Sequence, residues 1–105
     1  MRKAAAAGRT ARAAAMNLLA RREHSQAELR TKLKDREYSD PEIADALEGL
    51  LRDGLISDER FAEAFVASRV RRGQGPVRIR VELERRGVPD ELIVTHLSVR
   101  AAEWV

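Results

Sequence analysis

The 105-residue chain contains no cysteine. Disulfides and thiolate metal sites are therefore excluded, which suits a reducing compartment. Aromatic residues are few: Tyr38, Phe61, Phe65 and Trp104 are the whole set. A core must then come from Leu, Ile, Val and Ala, a composition that favours helices over a sheet sandwich. No apolar run approaches the roughly 18 residues that a membrane helix requires, so no membrane association is expected. Acids are missing from the first 22 residues, which carry six positive charges. A secretory signal would need a continuous apolar stretch there, but Arg9 and Arg12 interrupt the alanines. Two histidines, His24 and His96, have no third ligand at metal spacing, so both are expected to be structural. Nor does Gly73-Gln74-Gly75-Pro76 read as a phosphate-cradling loop, since it lacks the preceding strand and the following Lys-Ser/Thr. No carboxylate pair is marked as a general acid and base. The expectation is a protein that is not an enzyme and takes no cofactor.

What is present is charge, in 35% of residues, and it is polarised. Residues 23–65 carry six positive and twelve negative charges, while residues 66–86 carry seven positive and two negative. The second stretch surrounds Gly73-Gln74-Gly75-Pro76, where Gly and Pro would end one helix and begin another.

A shift of 50 residues aligns the chain with itself without a gap. Arg21, Arg22, Arg30, Leu33, Arg36, Asp40, Ile43 and Leu47 fall on Arg71, Arg72, Arg80, Leu83, Arg86, Asp90, Ile93 and Leu97. Leu29 meets Ile79 and Tyr38 meets Val88. Self-similarity at a fixed period marks a repeat architecture. Each unit reads as three helices. Ala11, Ala14, Ala15, Leu18 and Leu19 follow helical spacing. Ser25 with Glu28, and Ser39 with Glu42, form capping boxes that open the next two helices, and Gly54 closes the unit. In the second unit Ser57 or Asp58 opens a helix carrying Phe61, Ala64 and Phe65. Pro76 suits the first turn of the next helix, Gly87 ends it, and Pro89 starts the last. The predicted fold is all-α, tandem three-helix repeats forming a small elongated helical domain. Its divisions are a flexible basic N-terminus at 1–10, repeats at 11–54 and 55–100, and a tail at 101–105. Leu50, Leu51, Leu55 and Ile56 are expected to help bury a joint core.

"LLARREHSQAELRTKLKDREY" and "DGLISDERFAEAFVASRVRRGQGPVRIRVELERRGV" resemble the first and second repeats of the RecX family of recombination regulators. The second stretch combines Asp58, Arg60, Phe61, Phe65, Arg69, Gly73, Gly75, Pro76, Ile79, Leu83 and Gly87 in the family's spacing. The resemblance covers roughly residues 11–100. It implies tandem three-helix repeats that bind the RecA filament on DNA in the cytoplasm and usually restrain strand exchange and ATPase activity. It also implies a third repeat, entered through a segment like "AAEWV", that this sequence lacks.

The partner-facing candidates are Arg69, Arg71, Arg72, Arg78, Arg80, Arg85 and Arg86 around the corner, with Arg21, Arg22 and Arg30 in the first repeat. Guanidinium forks suit phosphate and carboxylate alike, so direct DNA contact and contact with acidic protein surface both stay open. Arg78, Arg85 and Arg86 cannot all share a face with Arg80. Glu82 is placed to pair with Arg78 or Arg86, and Glu84 with Arg80. No aromatic is interleaved with these arginines, which argues against a base-stacking platform. The alternatives are a generic helical DNA-binding module and a helical protein–protein adaptor.

Overall fold

A computed structural model describes residues 9–104; the basic positions Arg2 and Lys3, and most of the expected 1–10 terminus, lie outside the described residues. Six α-helices follow one another: α1 (Ala11–Leu19), α2 (Gln26–Asp35), α3 (Asp40–Arg52), α4 (Asp58–Arg71), α5 (Pro76–Arg85) and α6 (Asp90–Ser98). A 3-10 turn (Ala101–Trp104) follows them, and the described residues contain no strand. The chain divides into two compact units, Met1–Ser57 and Asp58–Val105.

Local chemistry sets the boundaries. Thr10 caps α1 by accepting from the Ala13 N–H. Both expected capping boxes are present, at Ser25/Glu28 and Ser39/Glu42, so each satisfies two backbone donors that the helix leaves unpaired. Pro76 occupies the first turn of α5, where its missing N–H deprives the helix of nothing. Asp58 is the first residue of α4, which puts Ser57 at the capping position.

Four helices end the same way. After α2, the Glu37 N–H reaches Lys34 O and the Tyr38 N–H reaches Leu33 O. The same pair of bonds recurs at Gly54 and Leu55, at Gly73 and Gln74, and at Gly87 and Val88. This closure needs a left-handed residue, and φ is 67° at Glu37 against 74° at its repeat equivalent Gly87. Glycine takes that conformation without strain. Glu37 takes it at a cost of about 1 kcal/mol.

In the first unit α1 and α2 pack on α3; in the second, α4 and α5 pack on α6. Each unit has its own apolar cluster. Leu29, Leu33, Tyr38, Ile43 and Leu50 centre the first, and Phe61, Phe65, Ile79, Leu83, Val88 and Ile93 the second. The residues expected at a joint core divide: Leu50 and Ile56 belong to the first cluster, whereas Leu51 and Leu55 are 42% and 39% exposed. In α3, Gly49 leaves room for Arg12, whose guanidinium nitrogen would stand 2.8 Å from a Cβ there. Arg12 then reaches Asp53 at 2.8 Å and ties the start of α1 to the end of α3.

Candidate interaction surfaces

The corner arginines separate into two groups. Arg69, from α4, and Arg86, at the end of α5, lie over the ring of Phe65, with guanidinium carbons 4.2 and 4.7 Å from its centroid. Both turn to Glu82, at 3.6 and 3.8 Å, and Arg78 reaches the same carboxylate at 3.7 Å. The Arg69 and Glu82 side chains are only 15% and 20% exposed. Arg69 and Arg86 are therefore cations of the second unit's own framework. The expected pairing of Glu82 is present with both Arg78 and Arg86. That of Glu84 with Arg80 is not: Arg80 bonds Asp90 at 3.0 Å, across to the first residue of α6.

Arg71, Arg72 and Arg85 are exposed and have no carboxylate partner among the described residues. In the first unit Arg21 and Arg30 are likewise exposed without one. Arg30 differs from its repeat equivalent Arg80 because Asp40, the counterpart of Asp90, sits 3.6 Å from Lys34. The second unit has Glu84 at the position of Lys34, so Asp90 is left for Arg80. Arg22 also differs from Arg72: it chelates Glu28 at 3.1 and 3.2 Å and donates to the Glu23 carbonyl.

Beside the corner, Val77, Val81, Val94, Leu97 and Trp104 line a mainly apolar concavity of about 490 Å³. Val77 is 77% exposed. The indole N–H of Trp104 donates to Gln74 O at 3.0 Å, so this side chain folds back on the second unit. This concavity had no sequence signal of its own, because its valines belong to two helices whose facing surfaces only the fold defines.

The histidines are packed inside. His24 is 1% exposed; its Nδ1 lies 3.0 Å from Arg22 O and its Nε2 3.0 Å from Lys32 Nζ. That arrangement requires a neutral ring that donates from Nδ1 and accepts from the Lys32 ammonium. Burial, followed by the charges of Arg22 and Lys32, holds its pKa below the ordinary 6.5. Burial alone would raise the pKa of Glu28. Hydrogen bonds from Arg22 and the Ser25 N–H outweigh that, and the carboxyl stays below the ordinary 4.5. His96 is buried at the position of Ala46, 3.9 Å from Glu59. Among the described residues no three His, Asp or Glu side chains are grouped to hold a metal ion, and no helix is long and apolar enough to cross a membrane.

A pH dependence follows. Between the folded and unfolded pKa values of His24, the unfolded chain binds a proton that the fold refuses, so stability drops as pH falls below about 6.5. A second loss begins below about 4.5, as Glu28 takes up a proton more readily unfolded than folded. Thermal melting of the protein is expected to move to lower temperature from pH 7.5 to pH 5.5, and His24→Gln to flatten that first decline. Parallel profiles for both proteins would rule out His24 as its source.

Comparison with known proteins places both halves of the chain. Residues 11–50 match the first three-helix domain of RecX and residues 57–97 match the second. A regulatory protein RecX of Halorhodospira halophila is 48% identical over 105 residues, covering 100% of this chain and 65% of that protein. A regulatory protein RecX of Chromohalobacter salexigens is 47% identical over 95 residues, covering 90% of this chain and 62% of that one. The chain thus spans under two thirds of these relatives' length. The crystal structure of RecX from Lactobacillus salivarius aligns with a TM-score of 0.80 at 24% identity, over 86% of this chain and 59% of that chain. That likeness speaks to the fold alone.

Proposed function

This chain belongs to the RecX family, and from that premise we propose that it binds the RecA filament on DNA and restrains RecA's recombinase and ATPase activity. It acts by occupancy, with no catalytic group of its own, and the compartment that goes with this reading is the cytoplasm. One observation carries it: each unit keeps an exposed arginine, without a carboxylate partner among the described residues, at the same repeat position, Arg21 in the first and Arg71 in the second. A duplicated cationic contact suits a partner that is itself a string of identical subunits. Arg72 and Arg85 extend the second unit's share. The valine-lined concavity beside the corner supports protein contact in addition to any phosphate contact, because exposed apolar surface of this kind marks interaction sites and gains nothing from a phosphate.

The contact is distributed, so single substitutions have small effects. Arg71→Gln alone is expected to change the protein concentration needed for half-inhibition of RecA's DNA-dependent ATPase by less than about threefold. The triple variant at Arg71, Arg72 and Arg85 is expected to raise it about tenfold, near 1.4 kcal/mol of lost contact. Arg69→Met, which removes a cation already turned inward, serves as the control and should act like the parent. Equal inhibition by parent and triple variant would remove the second unit from the contact. Tight, salt-sensitive binding to bare DNA with no effect on RecA would favour a plain DNA-binding module instead.

A further inference from the structure

We propose that the first unit contains an anion subsite, lined by Arg9, Asn17, Arg21 and Arg36, that takes a phosphate group. The concavity there measures about 490 Å³, and its remaining lining, Leu18 and Ala20, is apolar. Three arginines therefore line one hollow that contains no acid. None of the three forms an ion pair among the described residues. Arg9 is held at the rim by its backbone: the hydroxyl of Tyr38, a residue only 4% exposed, donates to Arg9 O at 2.9 Å.

The repeat shows why these charges stay uncompensated. Arg86, the counterpart of Arg36, is stacked on Phe65 and paired with Glu82. At the two corresponding positions the first unit has Ala15 and Lys32. Arg36 thus has neither ring nor carboxylate to settle on, and Lys32 is itself occupied with His24 at 3.0 Å. Two other lining residues differ in the same direction: Arg9 and Asn17 stand where the second unit has Glu59 and Ala67. Tyr38, whose hydroxyl holds the Arg9 carbonyl, stands where it has Val88. The second unit cannot build this site; the first has brought three guanidinium groups and an amide to one hollow, with no carboxylate paired to them among the described residues. Like charges gathered without a counter-charge repel, and a bound dianion removes that penalty. Guanidinium forks match phosphate oxygens in pairs, and the Asn17 amide adds an uncharged donor. The ligand class is a phosphate, supplied by a nucleic-acid backbone or by a free phosphate compound. The proposal does not depend on the filament reading.

The test is a titration of the full chain with inorganic phosphate at pH 7.5, followed through the arginine Nε–H resonances. Saturable shifts are expected for Arg21 and Arg36, and are absent with sodium chloride at equal ionic strength. The double variant Arg21→Gln/Arg36→Gln is expected to bind phosphate at least tenfold more weakly, with Arg71→Gln/Arg72→Gln unchanged. Lys32→Glu rebuilds the second unit's neighbourhood around Arg36, and is expected to weaken phosphate without removing any lining arginine. If Arg36→Gln lowers helix content, Arg21→Gln alone is read, and a weakened affinity is still expected. A 12-nucleotide single strand is then added in competition. Displacement of phosphate identifies a nucleic-acid backbone as the source; persistence of bound phosphate identifies a free phosphate compound. Non-saturating shifts, or equal affinity in the double variant, overturn the site. Binding to RecA filaments is measured separately, so a failed filament interaction with phosphate binding intact counts against the functional reading alone.

Discussion

Replacing Glu82 with Lys, the residue at its repeat position, is expected to destabilise the second unit by about 3 kcal/mol, because breaking a largely buried ion pair strands charge with no counter-ion. The ammonium would meet Arg69 and Arg86, both now held within 4 Å of the carboxylate it replaces. Neither can leave easily, since each guanidinium sits over the Phe65 ring. For a domain of this size the loss corresponds to a fall in melting temperature of roughly 12–24 °C. Glu82→Gln keeps an acceptor and the side-chain shape, and is expected to lose about 1 kcal/mol. Melting curves followed by circular dichroism at neutral pH decide the matter. A shift for Glu82→Lys no larger than that for Glu82→Gln would mean that the three arginines are spectators on a solvated face.

Two equivalent leucines should report on the two cores separately. Leu33 and Leu83 are both fully buried, at 0% exposure, and truncation to Ala at such sites costs about 2–5 kcal/mol through lost transfer energy and an unfilled cavity. Leu33 belongs to the cluster of the first unit and Leu83 to that of the second. Hydrogen exchange is expected to quicken mainly within residues 11–57 for Leu33→Ala and mainly within 58–104 for Leu83→Ala. Uniform loss of protection across the chain from either variant would contradict two cores.

The contrast between Glu82 and Arg80 shows where reading the sequence stopped. Spacing along one helix pairs Glu82 with Arg78 and Arg86, and both pairs form. The same rule pairs Arg80 with Glu84, yet Arg80 goes to Asp90. Neighbours three or four apart on a helix attract by only a few tenths of a kcal/mol, so a well-placed carboxylate from the next helix outcompetes them. Arg69 shows the same limit from the other side. Nothing local announces that a residue in the basic run of α4 will be drawn over Phe65 towards α5.

Capping boxes, left-handed helix ends and the fifty-residue repeat were legible because each is written within a few residues or copied at fixed distance. They determine six helices in two trihelical units, and with them family membership. Which arginines remain available was decided by tertiary packing alone. Arg36 and Arg86 are the same residue at the same place in the repeat, but Arg86 meets Glu82 and Phe65, and the first unit has Lys32 and Ala15 at those two positions. A charge is neutralised by what stands near it in space, and that neighbour comes from another turn or another helix.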